Sequence, residues 1–406
     1  MFLGILSRTI GIPAMNLSIA YLAQGKLYLK YPQAPIREYE SQFGQSVQER
    51  VLQTQRRKAW KNRGLMEMML PPGVVEQMQQ QPEAKLNVVI NSLCQGEKGK
   101  LLYALEAGDV GGIFILEPAR EHEQRLFHNA DFQVGYLSFH SEHELIACTT
   151  IHRSGIANIA MMPKNGSRPH EVTEGDSIDL APCWIPGKTK ALVFQSAGIG
   201  RNSQGFVCDR APFTIEKLDC DQKDITTLVS DRKYDFLGPR MKADGTLYYI
   251  RRPFRPKQQV NLLRLFREII LIPLRLAYAI FQWLNFFTQI YTGKPLMAAG
   301  TRKSLDRKQQ MKVWGEFLTP EMMGNNKFDE KDAPAWVPRS WQLVRQLTNG
   351  VAEVIAEGVL SFDLGEDGTI VYTNGSAIYA VHPDGHTERV LVGNLIENVA
   401  IVQNAI

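Results

Sequence analysis

The chain has 406 residues, 44% of them hydrophobic and 22% charged, with 46 Lys and Arg against 42 Asp and Glu for a formal charge of +4. That composition is ordinary for a globular protein and excludes wholesale disorder, while the length allows one large domain. Cys94, Cys148, Cys183, Cys208 and Cys220 are an odd number with no Cys-x-x-Cys pair, which argues against a disulfide framework and a zinc ribbon and favours a reducing compartment.

Residues 1–6 are apolar, but no basic residue precedes them and Arg8 interrupts them. They make a poor secretory signal, so a cytoplasmic location is expected. Residues 17–40 read as three short strands. Residues 41–85 then break the β pattern: Val47, Val51 and Leu52 recur among Gln and Arg at helical spacing, and Arg56, Arg57, Lys58, Lys61 and Arg63 make a basic surface at one end. Pro71-Pro72 ends that part. The segment reads as a helical insertion, either a solvated helix packed on the β unit or a contact surface.

Residues 133–251 state one pattern of strands and turns almost three times. Residues 177–196, SIDLAPCWIPGKTKALVFQS, give a strand, a turn at Pro186-Gly187-Lys188 and a second strand. Residues 234–250, YDFLGPRMKADGTLYYI, repeat it with Ala243-Asp244-Gly245 in the turn, where Gly accepts a positive φ. Residues 366–372, EDGTIVY, are a further copy. Gly99 to His143 and His143 to Gly187 are 44 residues each and Gly187 to Gly245 is 58, against roughly 40 to 50 for a four-stranded propeller blade. Gly245 to Gly368 is 123, which implies an insertion inside one blade. The chain ends complete the ring, because residues 369–381, TIVYTNGSAIYAV, match residues 18–30, SIAYLAQGKLYLK. Residues 17–40 therefore supply the second to fourth strands of a blade whose first strand is ENVAIVQ, residues 397–403. Such closure removes exposed sheet edges. The expectation is an all-β, six-bladed β-propeller over residues 1–406 with two helical insertions.

The blades resemble TolB-type, WD40-like propeller repeats, whose copies carry Pro-x-Trp-Ser-Pro-Asp-Gly at the first hairpin. Pro182, Trp184, Pro186 and Gly187 match best, followed by Pro239, Asp244 and Gly245. Residues 137–150 depart from it, with Phe139 in the aromatic slot and His140-Ser141-Glu142-His143 at the turn. The resemblance covers about two thirds of the chain and implies fold rather than activity, since propellers host unrelated functions.

The second insertion, residues 253–336, falls inside the fifth blade. Residues 341–347, WQLVRQL, read as that blade's fourth strand, which leaves the third strand within the inserted stretch. In residues 260–291 the polar positions Asn261, Glu268, Arg275, Gln282 and Gln289 recur every seven residues, with Arg264, Arg267 and Asn285 beside them. On a helix these fill an arc of about 120° and leave a wide apolar face that includes Ile280, Phe281, Trp283, Leu284, Phe286 and Phe287. Pro273 bends or breaks the helix. Residues 251–312 hold thirteen Lys or Arg, among them Arg251, Arg252, Arg255 and Lys257 as a basic surface, against Glu268 and Asp306. That is a net +11 in a chain of +4, leaving −7 elsewhere. A wide apolar face bordered by cations suits an anionic membrane surface; the competing reading buries it against the propeller or a dimer partner. A transmembrane span is disfavoured, because strands of one blade flank the segment and the Pro273 break leaves a first piece too short for a bilayer. Loops after second and fourth strands open on one face, so both insertions are expected to share it.

A search for chemistry returns little. There is no Gly-x-Ser-x-Gly elbow and no phosphate-binding glycine motif. His140-Ser141-Glu142-His143-Glu144 and Glu121-His122-Glu123 are read as exposed polar loops rather than metal sites. No cofactor, metal or catalytic residue is expected, and nucleic acid is disfavoured because the basic stretches lack interleaved exposed aromatics. The sequence points to a non-enzymatic scaffold that binds a protein or peptide on a propeller face and attaches peripherally to a membrane. The alternative is a propeller enzyme, a metal-assisted hydrolase or lactonase, with its site at the channel mouth.

Overall fold

The computed structural model describes residues 17–69, 86–187, 189–255, 311–314, 316–318 and 333–403. In chain order these hold strands β1 (Ser18–Ala23), β2 (Lys26–Lys30) and β3 (Arg37–Tyr39), then helix α1 (Gln42–Met69). Next come β4 (Val88–Gln95), β5 (Leu101–Ala107), β6 (Val110–Glu117) and β7 (His122–Ala130), followed by β8 (Gln133–His140), β9 (Leu145–Ile151), β10 (Ala157–Pro163) and a two-residue β11 (His170–Glu171). β12 (Ser177–Trp184), β13 (Ala191–Arg201), β14 (Val207–Arg210), β15 (Thr214–Asp219) and β16 (Asp224–Val229) precede β17 (Tyr234–Met241), β18 (Leu247–Pro253), β19 (Met311–Val313) and β20 (Glu316–Leu318). β21 (Gln342–Gln346), β22 (Ala352–Glu357), β23 (Ser361–Leu364), β24 (Ile370–Thr373), β25 (Ala377–Val381), β26 (Thr387–Val392) and β27 (Ile396–Val402) complete the chain.

Antiparallel sheets run β4-β5-β6-β7, β17-β18-β21-β22 and β23-β24-β25-β26, while one further path joins β8 to β11 and β12 to β16 through a single parallel pair, Ala157↔Ile178. In each, the middle strands are buried along nearly their whole length, as in LLYALEA of β5 and AIYAV of β25, because neighbouring sheets cover both faces. Fourth strands such as β7, β16 and β22 lie on the rim and are largely exposed. The hydrophobic core is accordingly divided into clusters between successive sheets. Leu22, Leu27, Tyr103, Leu105 and Phe114 form one, Ile113, Ile146, Cys148 and Met162 the next.

The ends meet. β27 pairs with β1 from Ser18↔Val402 to Ala23↔Ile396, giving the sheet β27-β1-β2-β3. The innermost strands β4, β8, β12, β17, β23 and β27 each touch the next, and β27 touches β4. Side chains latch this ring: Ser92 Oγ accepts the Leu137 N–H at 2.9 Å, Ser138 Oγ that of Trp184 at 3.1 Å, Gln195 Oε1 that of Gly238 at 2.7 Å, and Asp363 Oδ2 that of Ile401 at 2.9 Å. Each latch gives an inner-strand N–H a side-chain acceptor from the neighbouring blade.

One strand assignment changes. Residues 341–347 hold β21, which pairs directly with β18, so this is the third strand of its blade and β22 is the fourth. The insertion therefore runs wholly between second and third strands. The expected helix of residues 260–291 lies outside the described residues. So do residues 70–85 of the first insertion, whose helix α1 is capped by Ser41, the Ser41 hydroxyl accepting the Gly44 N–H at 3.1 Å.

Candidate interaction face and channel

Because strands alternate in direction, the loops after second and after fourth strands open on one face of the disc. α1 follows the fourth strand β3, and the long insertion follows the second strand β18, so both leave from that face. The insertion is pinned where it returns. In the β19–β20 hairpin Trp314 stacks on Tyr136 at 5.4 Å between centroids, and its Nε1 donates to the Leu360 carbonyl at 2.9 Å. The indole lies against Gly238, where a Cβ would sit 2.9 Å from its edge. Further on, the Trp336 backbone N–H donates to the Asn374 carbonyl, its ring packs on Gly375, and Asn374 Nδ2 donates to the Ala333 carbonyl.

Trp314 stands in the channel. Ser92, Leu137, Pro182, Arg240, Phe362 and Asn398, one from each innermost strand, line the space with it, and about 30 Å³ remains, room for one or two waters. The inner strands bulge here, with Tyr136 (φ 51) and Ala181 (φ 54) in the left-handed region, a conformation costing about 1 kcal/mol for a non-glycine residue. Within the channel Arg240 Nε stands 3.7 Å from Asp363 Oδ1. Burial raises the Asp363 pKa against the lowering effect of Arg240. Glu397 is the extra residue of a bulge in β27, since Leu22 pairs with Asn398 and Ala23 with Ile396. Burial alone lifts its pKa to about 7.

Of the residues read from sequence as a basic surface, Arg57 on α1 and Arg255 are exposed. Arg56, Lys58, Lys61 and Arg63 lie on α1; their side chains, and all of Lys257, are outside the described residues, as are Arg264, Arg267, Arg275, Ile280, Phe281, Trp283, Leu284, Phe286 and Phe287. Arg252 is not a surface residue: it is 2% exposed, donates Nε to Asp235 Oδ2 at 3.0 Å and lies 4.7 Å over the Trp341 ring. Arg251 is half-buried, donating to Gln342 Oε1 at 2.7 Å beneath the Tyr234 ring. Both sit on β18, where the sheet continues past the point at which charge alone suggests a loop. Asp235 also takes both Arg210 Nη atoms, at 2.8 and 2.9 Å, and the Phe213 N–H at 2.9 Å. Burial would raise its pKa, but the Arg210 hydrogen bonds and the charges of Arg252 and Arg210 hold it below the usual carboxylate range.

The two polar clusters keep most of their residues exposed, and one residue in each departs from that reading. His140 is only 4% exposed, edge-on to Trp184 at 5.3 Å and 4.7 Å from His143, because it ends the inner strand β8 between blades; burial lowers its pKa. Glu123 is half-buried and caps α1, its carboxylate accepting the N–H groups of Gln42 and Phe43, both at 3.0 Å, and the hydroxyls of Tyr39 at 2.8 Å and Tyr103 at 2.6 Å. Among the described residues no three metal-capable side chains converge, and no helix is long and apolar enough to cross a membrane.

Radial sheets latched around a channel and closed by β27 against β1 make the protein a β-propeller. No family model matches the chain, and no curated protein sequence does. Among solved structures it is similar to TolB from Acinetobacter baumannii, at 12% identity over 97% of this chain and 68% of that one with a TM-score of 0.49. It is also similar to a nidogen–laminin complex, at 6% identity over 96% of this chain and 99% of that one with a TM-score of 0.48. A third likeness is to oligogalacturonate lyase from Vibrio parahaemolyticus, at 8% identity over 90% and 78% with a TM-score of 0.36. The propeller assignment stands on the chain's own strand pairing, and these likenesses carry no activity to it.

Proposed function

We propose that this protein is a non-enzymatic scaffold, a six-bladed propeller of TolB-like type held at the cytoplasmic surface of an anionic membrane by its long insertion, with the opposite face free to bind a protein or peptide. One observation carries the membrane reading. The insertion, which contains the amphipathic sequence of residues 260–291, leaves after Arg255 on the face that also bears α1, and its return is fixed by Trp314 and Trp336. A tethered apolar stripe flanked by Lys and Arg has the composition that adsorbs to anionic lipid, each cation near the surface contributing roughly 1 kcal/mol. The alternative is a hydrolase or lactonase with its site at the channel mouth, beyond the small cavity beside Trp314.

Vesicle flotation provides the test. Binding to vesicles containing phosphatidylserine should weaken with salt and fall sharply when Ile280, Phe281, Leu284 and Phe287 are changed to Ser. Changes that leave flotation intact and precipitate the protein would put that stripe in the core, and the membrane reading fails.

A further inference from the structure

β13 runs on beyond its blade. Its first residues, from Ala191↔Asp219 to Ser196↔Thr214, pair with β15, but from Ile199 it forms a separate two-stranded arm with β14, Ile199↔Arg210 to Arg201↔Val207. The arm lies between second and third strands, so it stands on the same face as the insertion. It is braced. Arg201 donates Nε to Asp176 Oδ1 at 2.9 Å and Nη1 to the carbonyls of Gly205 at 2.8 Å and Ser154 at 3.3 Å, and Val207 packs against Gly155 of the neighbouring blade. The tip is fixed by Asn202, whose side-chain oxygen accepts the N–H groups of Gln204 and Phe206.

At that rigid tip Phe206 is 67% exposed, more than any other large hydrophobic side chain among the described residues. At the base, Arg210 lies 5.2 Å over the Phe254 ring, and the Phe254 N–H donates to the Lys233 carbonyl at 2.8 Å. Phe254 and Arg255 are the last described residues before the insertion, so the arm borders its point of exit. Arg232, Lys233 and Arg255 are all exposed there.

We infer that the arm is a second lipid contact, in which Phe206 enters the headgroup region while Arg232, Lys233 and Arg255 face lipid phosphates. The inference rests on the membrane reading above. An exposed apolar ring at the tip of an arm with cations at its base offers a protein partner no groove to fill, but it suits a lipid interface in which the ring enters and the cations stay at the headgroups.

Cys208 is exposed two residues from Phe206, whereas Cys94 and Cys148 are buried and Cys183 and Cys220 half-buried. With Cys183 and Cys220 changed to Ser, an NBD dye on Cys208 reports on the arm during flotation with phosphatidylcholine vesicles, with and without phosphatidylserine. On phosphatidylserine the emission should shift to the blue and rise at least twofold, reversibly with salt. Phe206→Ser should weaken apparent vesicle affinity about tenfold with an unchanged melting temperature. Flotation without a dye response overturns the arm's role and leaves the membrane reading standing. Absence of flotation overturns both. Emission already blue-shifted without vesicles, and unchanged by them, also overturns the inference, because the chain's own insertion then covers the tip.

Discussion

Glu397 sits where burial opposes ionisation and nothing described compensates it. Its carboxyl is pushed up to about 7 by desolvation alone, whereas Asp363 on the neighbouring inner strand has Arg240 beside it and the Ile401 N–H as a donor. A carboxyl whose folded pKa lies above its unfolded value of about 4.3 favours the native state while protonated, and that contribution is lost as pH rises from the unfolded towards the folded pKa. Glu397→Gln, neutral at every pH and similar in shape, should therefore leave stability nearly unchanged at pH 4 and raise the denaturation midpoint at pH 8. Midpoints that move together at both pH values would place Glu397 in water. Asp235 has the opposite sign: held below the usual range by Arg210 and Arg252, it contributes stability above the unfolded pKa and loses it as pH falls. The two residues bracket the protein's stability from the alkaline and acid sides.

At the level of elements, α1 depends on a carboxylate from another blade. Its first N–H groups have no partner within the helix, and Glu123 on β7 takes two of them together with two tyrosine hydroxyls. Glu123→Ala removes an acceptor shared by four donors, of which the Tyr103 hydroxyl keeps Ser41 Oγ and the exposed Gln42 N–H turns to water, and should cost about 2 kcal/mol at this contact. Because α1 carries Arg56, Arg57, Lys58, Lys61 and Arg63, limited trypsin digestion should cut it several times faster in the variant while the propeller survives. Unchanged cutting would show that packing of Phe43 on Phe114 holds the helix without the cap. From sequence, Glu121-His122-Glu123 looked like an exposed loop, because nothing local marks a cap whose helix begins eighty residues earlier. Hairpins were legible because turn glycines and strand alternation are local. Even the arm left a trace, as the 58-residue step from Gly187 to Gly245 exceeds the 44-residue steps before it by about the arm's length. Trp314 left none. Its partners Tyr136, Gly238 and Leu360 come from three different inner strands or their approaches, a convergence that only the closed ring creates.

At the scale of the molecule, two features divide the labour. Charge is concentrated along the sequence, with residues 251–312 carrying +11 and the remainder −7. Part of that charge, on Arg251 and Arg252, is held inside β18 by Gln342 and Asp235 and is not offered to a surface. Closure then decides whether any face exists at all. β27 is the inner strand of a sheet whose other three strands are the chain's first, and it also contacts β23 and β4 on either side. Gln403 donates its N–H to Gln95 Oε1 at 3.1 Å and accepts the Gly99 N–H at 3.0 Å, so even the residue after β27 ties the closing blade to the next. Deleting the residues after Asn394 removes buried Ile396, Val399, Ala400, Ile401 and Val402 from two core clusters, unpairs the inner edge of β1 and leaves the Asp363 carboxylate without its Ile401 donor. Losses of several buried side chains at about 1.5–3 kcal/mol each approach the whole stability of a domain. The truncated protein should therefore be unfolded or molten at 25 °C, without a cooperative thermal transition by near-ultraviolet circular dichroism. Adding residues 395–406 back as a separate peptide should restore a transition whose midpoint rises with peptide concentration, because a strand that binds only the folded ring stabilises it by mass action. A truncated protein that melts like the intact one would mean that β1 needs no inner partner, and the ring would not be closed by its two ends.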